Sequence, residues 1–335
     1  MKSIYYLAIV LILSLSSCFK EELPVKPHEP GDVETGIAAL RELYSYQVFY
    51  DLSTNTALKT NLITDWELGF ETADSGWHII LNNSRFMHAG NTGTTNFDAV
   101  TSHEGLVMKF DSSEGNPDST AIGNWVIFSN GDTIYSNLVY VIDMGFNENY
   151  EHSGYKKVVF QSLNNNAYSI KFADLNGENL KTAVIEKDIS KNYVCFSFEN
   201  GSVDIEPDKN AWTLLFTKYT TLLFTDLGEP YPYSVLGVLL NPNHVTAALD
   251  TLKPFENLVL ADTANYEFSN RRDFIGYEWK YYDFDAGTYS IVPDLNYLIK
   301  NHDGFYYKLR FINFYSHDPE TLGEKGFPTF EFAKF

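Results

Sequence analysis

From Arg41 onward the chain is a succession of short aromatic and β-branched runs broken by Gly, Asn and Asp. This rhythm constrains the fold more than any other feature, because runs so short suit strands and fall below the length of ordinary helices. The runs are Trp77–Leu81, Trp125–Phe128, Leu138–Ile142, Lys157–Gln161, Tyr168–Phe172, Val194–Phe198, Trp212–Lys218, Leu236–Leu240, Trp279–Phe284, Tyr306–Phe314 and Thr329–Phe332. Turn signals separate them at Asn130-Gly131-Asp132, Asn176-Gly177, Asn200-Gly201 and Asp303-Gly304. The last joins Tyr297–Ile299 to Tyr306–Leu309 and is the clearest hairpin. With 23 Tyr and 25 Phe among 335 residues, side-chain preference also favours strands. Strands do not alternate with helical patterns; only Ala38–Phe49 and Val245–Leu249 have even weak or short helical spacing. The expectation is a mainly β protein of antiparallel sheets, in sandwich or meander form.

The N-terminus sets the location. Lys2 gives a short positive region, and Ile4 to Leu15 form an apolar segment too short to span a bilayer. Leu15-Ser16-Ser17-Cys18 follows and resembles a bacterial lipobox, in which Cys18 is acylated after cleavage before it. The alternative is an ordinary secretory signal with Cys18 there by chance. Two or three acyl chains anchor firmly where one binds only marginally. Lys20-Glu21-Glu22 resembles the signal that sends Bacteroidetes lipoproteins to the outer leaflet of the outer membrane. The division expected is a signal peptide over 1–17, an acylated Cys with a Pro-rich charged tether over 18–40, and a β region over 41–335. With Cys18 lipidated, Cys195 has no disulfide partner; its alternating strand-like setting makes it a buried, inert thiol.

Two echoes hint at duplication. Asp65-Trp66-Glu67-Leu68-Gly69-Phe70 and Trp212-Thr213-Leu214-Leu215-Phe216 share W-x-L-x-F. Tyr155-Lys156-Lys157-Val158-Val159-Phe160 echoes Tyr307-Lys308-Leu309-Arg310-Phe311. Their common order suggests two related β units, 41–200 and 201–335. The alternative is that amphipathic strands look alike.

These motifs, with Ile275-Gly276-Tyr277-Glu278-Trp279-Lys280, Tyr306–Tyr315 and the closing Gly323–Phe332, carry a family resemblance. The chain resembles the HmuY family of Bacteroidetes surface lipoproteins, whose best-known members bind haem. It is much longer than the compact haem-binding members. The resemblance implies haem capture at the cell surface and delivery to an outer-membrane receptor. It also implies two axial ligands to the iron, a His pair in the best-known member and Met in some relatives.

The mature chain offers Met87, Met108, Met144 and eight His. Met87-His88-Ala89-Gly90 opens a small-residue loop with His103 shortly beyond, and could approach an iron from one side. Asn241-Pro242-Asn243-His244 follows the Trp212 unit at about the place where the family's pocket-forming segment begins. The haem-binding candidates are therefore His244, His88, Met87 and His103, each weighed against a turn or surface residue with no ligand. His28 lies in the tether and His302 in a hairpin turn.

Other classes fare worse. The net charge of −20 disfavours nucleic acid and electrostatic docking on anionic membrane, so the membrane is reached through the lipid anchor. No His-Glu-x-x-His, Gly-x-Ser-x-Gly, P-loop or Gly-x-Gly-x-x-Gly occurs, and no enzyme is expected. Asp174–Glu178 fails as a calcium loop, because its Gly comes at the fourth position and Ile185 stands at the twelfth. Asp118-Ser119-Thr120, Asp132-Thr133-Ile134, Asp250-Thr251-Leu252 and Asp262-Thr263-Ala264 resemble O-glycosylation acceptors of exported Bacteroidetes proteins. The second reading is a surface lipoprotein of the same fold that binds a glycan or a protein and holds no iron.

Overall fold

The computed structural model describes residues 31–335 apart from Asn165, so Cys18 and the lipobox lie outside the described residues. The fold is mainly β, with antiparallel pairing throughout its sheets. Four sheets, here A to D, carry it. Sheet A runs Glu34–Ile37, Lys325–Lys334, Tyr306–Tyr315, Asn296–Lys300, Thr246–Asp250. Sheet B runs Pro230–Leu240, Leu214–Phe224, Tyr46–Asp51, Thr56–Leu62. Sheet C runs Gly201–Val203, Tyr193–Ser197, Leu68–Glu71, Ile79–Leu81. Sheet D runs Lys181–Glu186, Ala167–Asp174, Tyr155–Asn164, Val139–Asp143, His88–Asn91.

Three apolar layers hold the sheets face to face in the order A, B, C, D. Val48, Tyr50, Leu214, Phe216 and Val238 of B meet Tyr297, Leu309, Phe311 and Phe330 of A. Leu68, Phe70 and Phe196 of C meet Tyr140, Val158, Phe160 and Ile170 of D. Phe49, Leu215, Tyr219 and Leu239 of B meet Cys195 and Ile80 of C, with Trp66 and Trp212 between them. Leu214-Leu215-Phe216 shows why the sequence runs this way. Successive side chains point to opposite faces, and a middle sheet buries both, so its strands read as continuous apolar runs.

The chain passes A, B, C, D and returns C, B, A, and the two halves of that path repeat one plan. Asn82 donates its amide to the carbonyls of Ile63 and Trp66, and Asn241 donates to those of Lys209 and Trp212. Bridges Ala89 to Lys109 and Ala247 to Ser269 correspond. So do the bonds from Ser136 N–H to Trp125 O and from Val292 N–H to Trp279 O. The buried Lys157 ammonium sits over the Phe97 ring and donates to Val100 O. Lys308 sits over Phe255 and donates to Phe255 O and Leu258 O. The pairing register breaks between Phe160 and Ser162 and again between Phe311 and Asn313.

The second copy is completed by the start of the chain. Glu34–Ile37 lies on Lys325–Lys334 as Lys181–Glu186 lies on Ala167–Asp174. Tyr46–Asp51 lies on Leu214–Phe224 as Tyr193–Ser197 lies on Leu68–Glu71. The correspondence is thus circularly permuted: the elements of residues 63–206 match, in order, those of 207–335 followed by 31–62. Position 200/201 falls in the hairpin turn between Tyr193–Ser197 and Gly201–Val203, and Tyr46–Asp51 pairs across it with Leu214–Phe224.

Two local expectations are corrected. Val245–Leu249 is not helical, because Thr246–Asp250 pairs with Asn296–Lys300 as the edge of sheet A. Ala38–Phe49 is not helical either. Ala38 and Leu40 N–H donate to Pro328 O and Gly326 O and prolong the ladder; a turn then leads into Tyr46–Asp51. The ladder bonds and burial available there override a weak local period. The strand Glu34–Ile37 also lies within the stretch expected to be tether. The Asp303-Gly304 hairpin forms with Lys300 opposite Tyr306.

Candidate functional site

The outward face of sheet D gathers several of the groups that chemistry would select. His88 starts the edge strand and lies opposite Asp143. Tyr155 lies opposite Asp143 on the other side. His152 Nε2 lies 2.8 Å from Asp143 Oδ1, and the His152 and Tyr155 rings are 5.0 Å apart. His103 stacks on the other side of the group, its ring 4.0 Å from that of Tyr155 and nearly parallel at 12°. The bridge between Ala89 and Lys109 folds the loop after residue 91 back along this edge. A Cβ on Gly90 would lie 2.7 Å from Met108 Sδ, so the thioether rests directly on the backbone two residues from His88.

His88 is held in one tautomer by its own backbone. Its Nδ1 lies 3.0 Å from the Phe86 carbonyl oxygen, which only accepts, so Nδ1 carries the proton and Nε2 keeps its lone pair. Half-burial pushes its pKa below the usual histidine value, against the opposing pull of Asp143 and the Phe86 carbonyl. Phe86 and Phe110 stand edge-on to the ring at 4.9 and 5.7 Å. A neutral, oriented imidazole beside aromatic rings suits a metal already carried in a flat apolar macrocycle.

The other expected ligands fare unequally. Met87 is fully buried in the layer between C and D, because strand alternation sends it inward where His88 goes outward. His103 shares the outer face of D with His88. His244 is exposed in a turn at φ 61°, leading into the strand Thr246–Asp250 of sheet A. Sheets stack about 10 Å apart, so outer sheets A and D lie roughly 30 Å from each other. In the duplicated plan His244 holds the place of Phe86, which has the same left-handed backbone at φ 60°. Thr246 holds that of His88. The structure therefore brings His88 and His103 to one face and leaves His244 and Met87 apart from it.

Met108, His152, Asp143 and Tyr155 were not expected at this face. The adjacency of Met108 depends on the Ala89–Lys109 bridge, which leaves no local signal in the sequence. Among the described residues no group of three or more His, Cys, Asp and Glu is arranged to hold a bare metal ion. One cavity of about 310 Å³ lies beside Ile37, Arg41, Tyr315 and His317, and the His317 Nε2 is held at 2.6 Å by the Asn313 amide. None of His88, Met87, His103 and His244 lines it. Cys195 is buried between B and C, and burial pushes its thiol pKa well up, so it is inert.

The signature of the HmuY protein family matches residues 43–332. The chain belongs to the HmuY family. No curated protein sequence matches the chain. Among solved structures, apo PinO from Porphyromonas gingivitis is 7% identical with TM-score 0.29, covering 91% of this chain and 97% of that one. The Tannerella forsythia apo HmuY analog TFO is 10% identical with TM-score 0.26, covering 92% and 98%. A Bacteroides vulgatus protein described as an HmuY-like heme binder is 16% identical with TM-score 0.17, covering 52% of this chain and 94% of its own. TM-scores this low carry no structural argument, and the assignment rests on the family match. No helix among the described residues is long and apolar enough to cross a membrane.

Proposed function

We propose that this HmuY-family protein is a lipid-anchored binding protein of the cell envelope that captures haem and hands it to an outer-membrane receptor. The observation that carries the reading is the half-buried, neutral His88, whose Nε2 is left free by the bond from Nδ1 to the Phe86 carbonyl. His88 supplies one axial donor to the iron. The loop that carries His103 and Met108 along the same face supplies the second. Phe86, Phe110 and Tyr155 offer apolar surface to the porphyrin. Acylation at Cys18 holds the protein in the outer membrane, probed by whether Cys18→Ala releases it from the membrane fraction. No catalytic step is assigned.

One observation favours the second reading, a surface protein that binds a glycan or another protein. The hairpin of Leu214–Phe224 and Pro230–Leu240 exposes Phe224, Leu227 and Tyr233, and the hairpin at 280–291 exposes Tyr281 and Phe284. Hemin titration of the soluble chain separates the two. Haem capture requires a saturable Soret shift that is lost in His88→Ala; a chain that gives no shift belongs to the second reading.

A further inference from the structure

The repeated plan breaks where a hairpin of sheet B outgrows its counterpart in sheet C. Leu214 pairs with Leu240 as Leu68 pairs with Leu81, yet the chain takes twice as many steps between the first two. The added length continues the pairing from Tyr219 opposite Val235 to Phe224 opposite Pro230. Tyr46–Asp51 accompanies this strand only as far as Phe216. Thr220 Oγ1 donates to Asn83 O at 3.0 Å, and Thr221 Oγ1 accepts from Ser113 Oγ at 3.2 Å. Beyond them, among the described residues, the ribbon hydrogen-bonds only to itself. A two-stranded ribbon standing alone is marginally stable in water, so this one calls for a reason.

Its side chains are not those of a solvated arm. Leu222, Phe224 and Tyr233 are exposed, and Leu227 is 88% exposed. A second hairpin, Lys280–Asp283 with Thr288–Ile291, adds exposed Tyr281 and Tyr282 and a Phe284 that is also 88% exposed. The two hairpins are neighbours. At their feet the buried Lys280 ammonium donates to Leu236 O at 2.6 Å. Burial raises the Tyr289 pKa and the Tyr233 hydroxyl adds to it, so those two rings lie within electrostatic reach. Apolar exposure gathered in this way marks an interaction surface. Pro230 and Pro232 blunt it as a strand-pairing edge, because they lie on the edge strand of sheet B and have no N–H to offer an added strand.

We propose that the two hairpins form a docking surface for a protein partner whose contact face presents Arg or Lys side chains among apolar ones. Charge selects this occupant. Residues 219–235 hold Asp226 and Glu229, residues 281–291 hold Asp283 and Asp285, and neither stretch contains Lys or Arg. Asp226, Glu229 and Asp285 are exposed and enter no ion pair among the described residues. A second copy would bring the same carboxylates, on a chain of net charge −20, against themselves, and anionic lipid headgroups would meet the same repulsion. Guanidinium and ammonium groups pair with such carboxylates at the rim and stack on Tyr and Phe rings, while the partner's apolar side chains cover Leu222, Phe224 and Leu227. The surface stands with or without haem, since neither hairpin carries His88, His103 or Met108.

A labelled peptide of alternating Arg and Leu is the probe, and its fluorescence anisotropy at low salt is expected to saturate on the soluble chain. Phe224→Ser combined with Leu227→Ser, both at exposed positions, weakens binding about tenfold or more. Asp226→Asn combined with Asp285→Asn weakens it about fivefold and flattens its salt dependence. Glu186→Gln combined with Glu199→Gln removes two exposed carboxylates elsewhere and leaves binding unchanged. No saturable binding overturns the inference, as does binding that the Phe224 and Leu227 double variant leaves intact. Two other results also overturn it: flotation with phosphatidylcholine vesicles, or dimerisation in sedimentation, either one lost in that double variant. Hemin titration is expected to be the same in all these variants, so failure here is read apart from failure of the haem reading.

Discussion

Replacing Asn241 with Ala tests the repeated plan at the point where it is most exacting. The side chain is fully buried. Its amide donates to Lys209 O at 2.8 Å and Trp212 O at 2.7 Å, and its Oδ1 accepts from Asn243 N–H at 2.9 Å and from the Asn192 amide at 3.0 Å. Alanine leaves two carbonyls and two donors without these bonds. Each unsatisfied buried group costs about 1–3 kcal/mol, and relaxation or an entering water recovers part, so a loss of about 3 kcal/mol is expected. That is a large share of the roughly 5–15 kcal/mol of a native protein. Asn82, also fully buried, makes the matching bonds to Ile63 O and Trp66 O at 2.7 and 2.8 Å in the other unit. Equilibrium unfolding in urea is therefore expected to give similar losses for Asn82→Ala and Asn241→Ala, within about 1 kcal/mol. Exposed Asn91→Ala stays within about 0.5 kcal/mol of the parent. A loss under about 0.5 kcal/mol at Asn241, or a cost confined to one of the two buried positions, refutes the reasoning.

Lys157→Met and Lys308→Met each remove an ammonium that holds carbonyls of a short turn, so each is expected to cost about 1–3 kcal/mol. Hydrogen exchange near residues 97–100 and 255–258 respectively should quicken. Burial lowers the His88 pKa, so between the folded and unfolded values the unfolded chain binds more protons and stability falls as pH drops through about 6.5. His88→Gln is expected to flatten that slope in unfolding experiments run from neutral to mildly acid pH; an unchanged slope contradicts it. Gly145→Ala combines a left-handed backbone with a Cβ 2.0 Å from the Arg85 carbonyl oxygen, and should cost more than about 2 kcal/mol in thermal or urea unfolding.

The strands were legible because alternation and aromatic content report burial on a pleated surface. Runs such as Tyr168–Phe172 and Tyr306–Phe314 fall on strands for that reason. Val245–Leu249 misled because so short a run fits either period. Both W-x-L-x-F segments lead into corresponding strands, Leu68–Glu71 and Leu214–Phe224, whereas the second echo was one residue out of register. Pairing sets Tyr155 with Tyr306 and Lys157 with Lys308, since Val158 faces Tyr140 as Leu309 faces Tyr297. The permutation had no local trace, because pairing of Tyr46–Asp51 with Leu214–Phe224 is a long-range choice. At the site, Met87-His88 read as one cluster, although neighbours on a strand point to opposite faces. His103 belonged with His88, but only the folded loop shows it, and the same fold brings in Met108.

The central claim is that His88 on the outer face of sheet D is an iron ligand, and hemin titration of the soluble chain tests it most directly. The predicted result is a saturable Soret shift that reaches its end point at one hemin per chain. It should be abolished or weakened at least tenfold in His88→Ala and unchanged in His244→Ala, whose exposed side chain lies in the turn leading into sheet A. A chain that gives no saturable shift, or one whose shift survives His88→Ala and disappears in His244→Ala, contradicts the account.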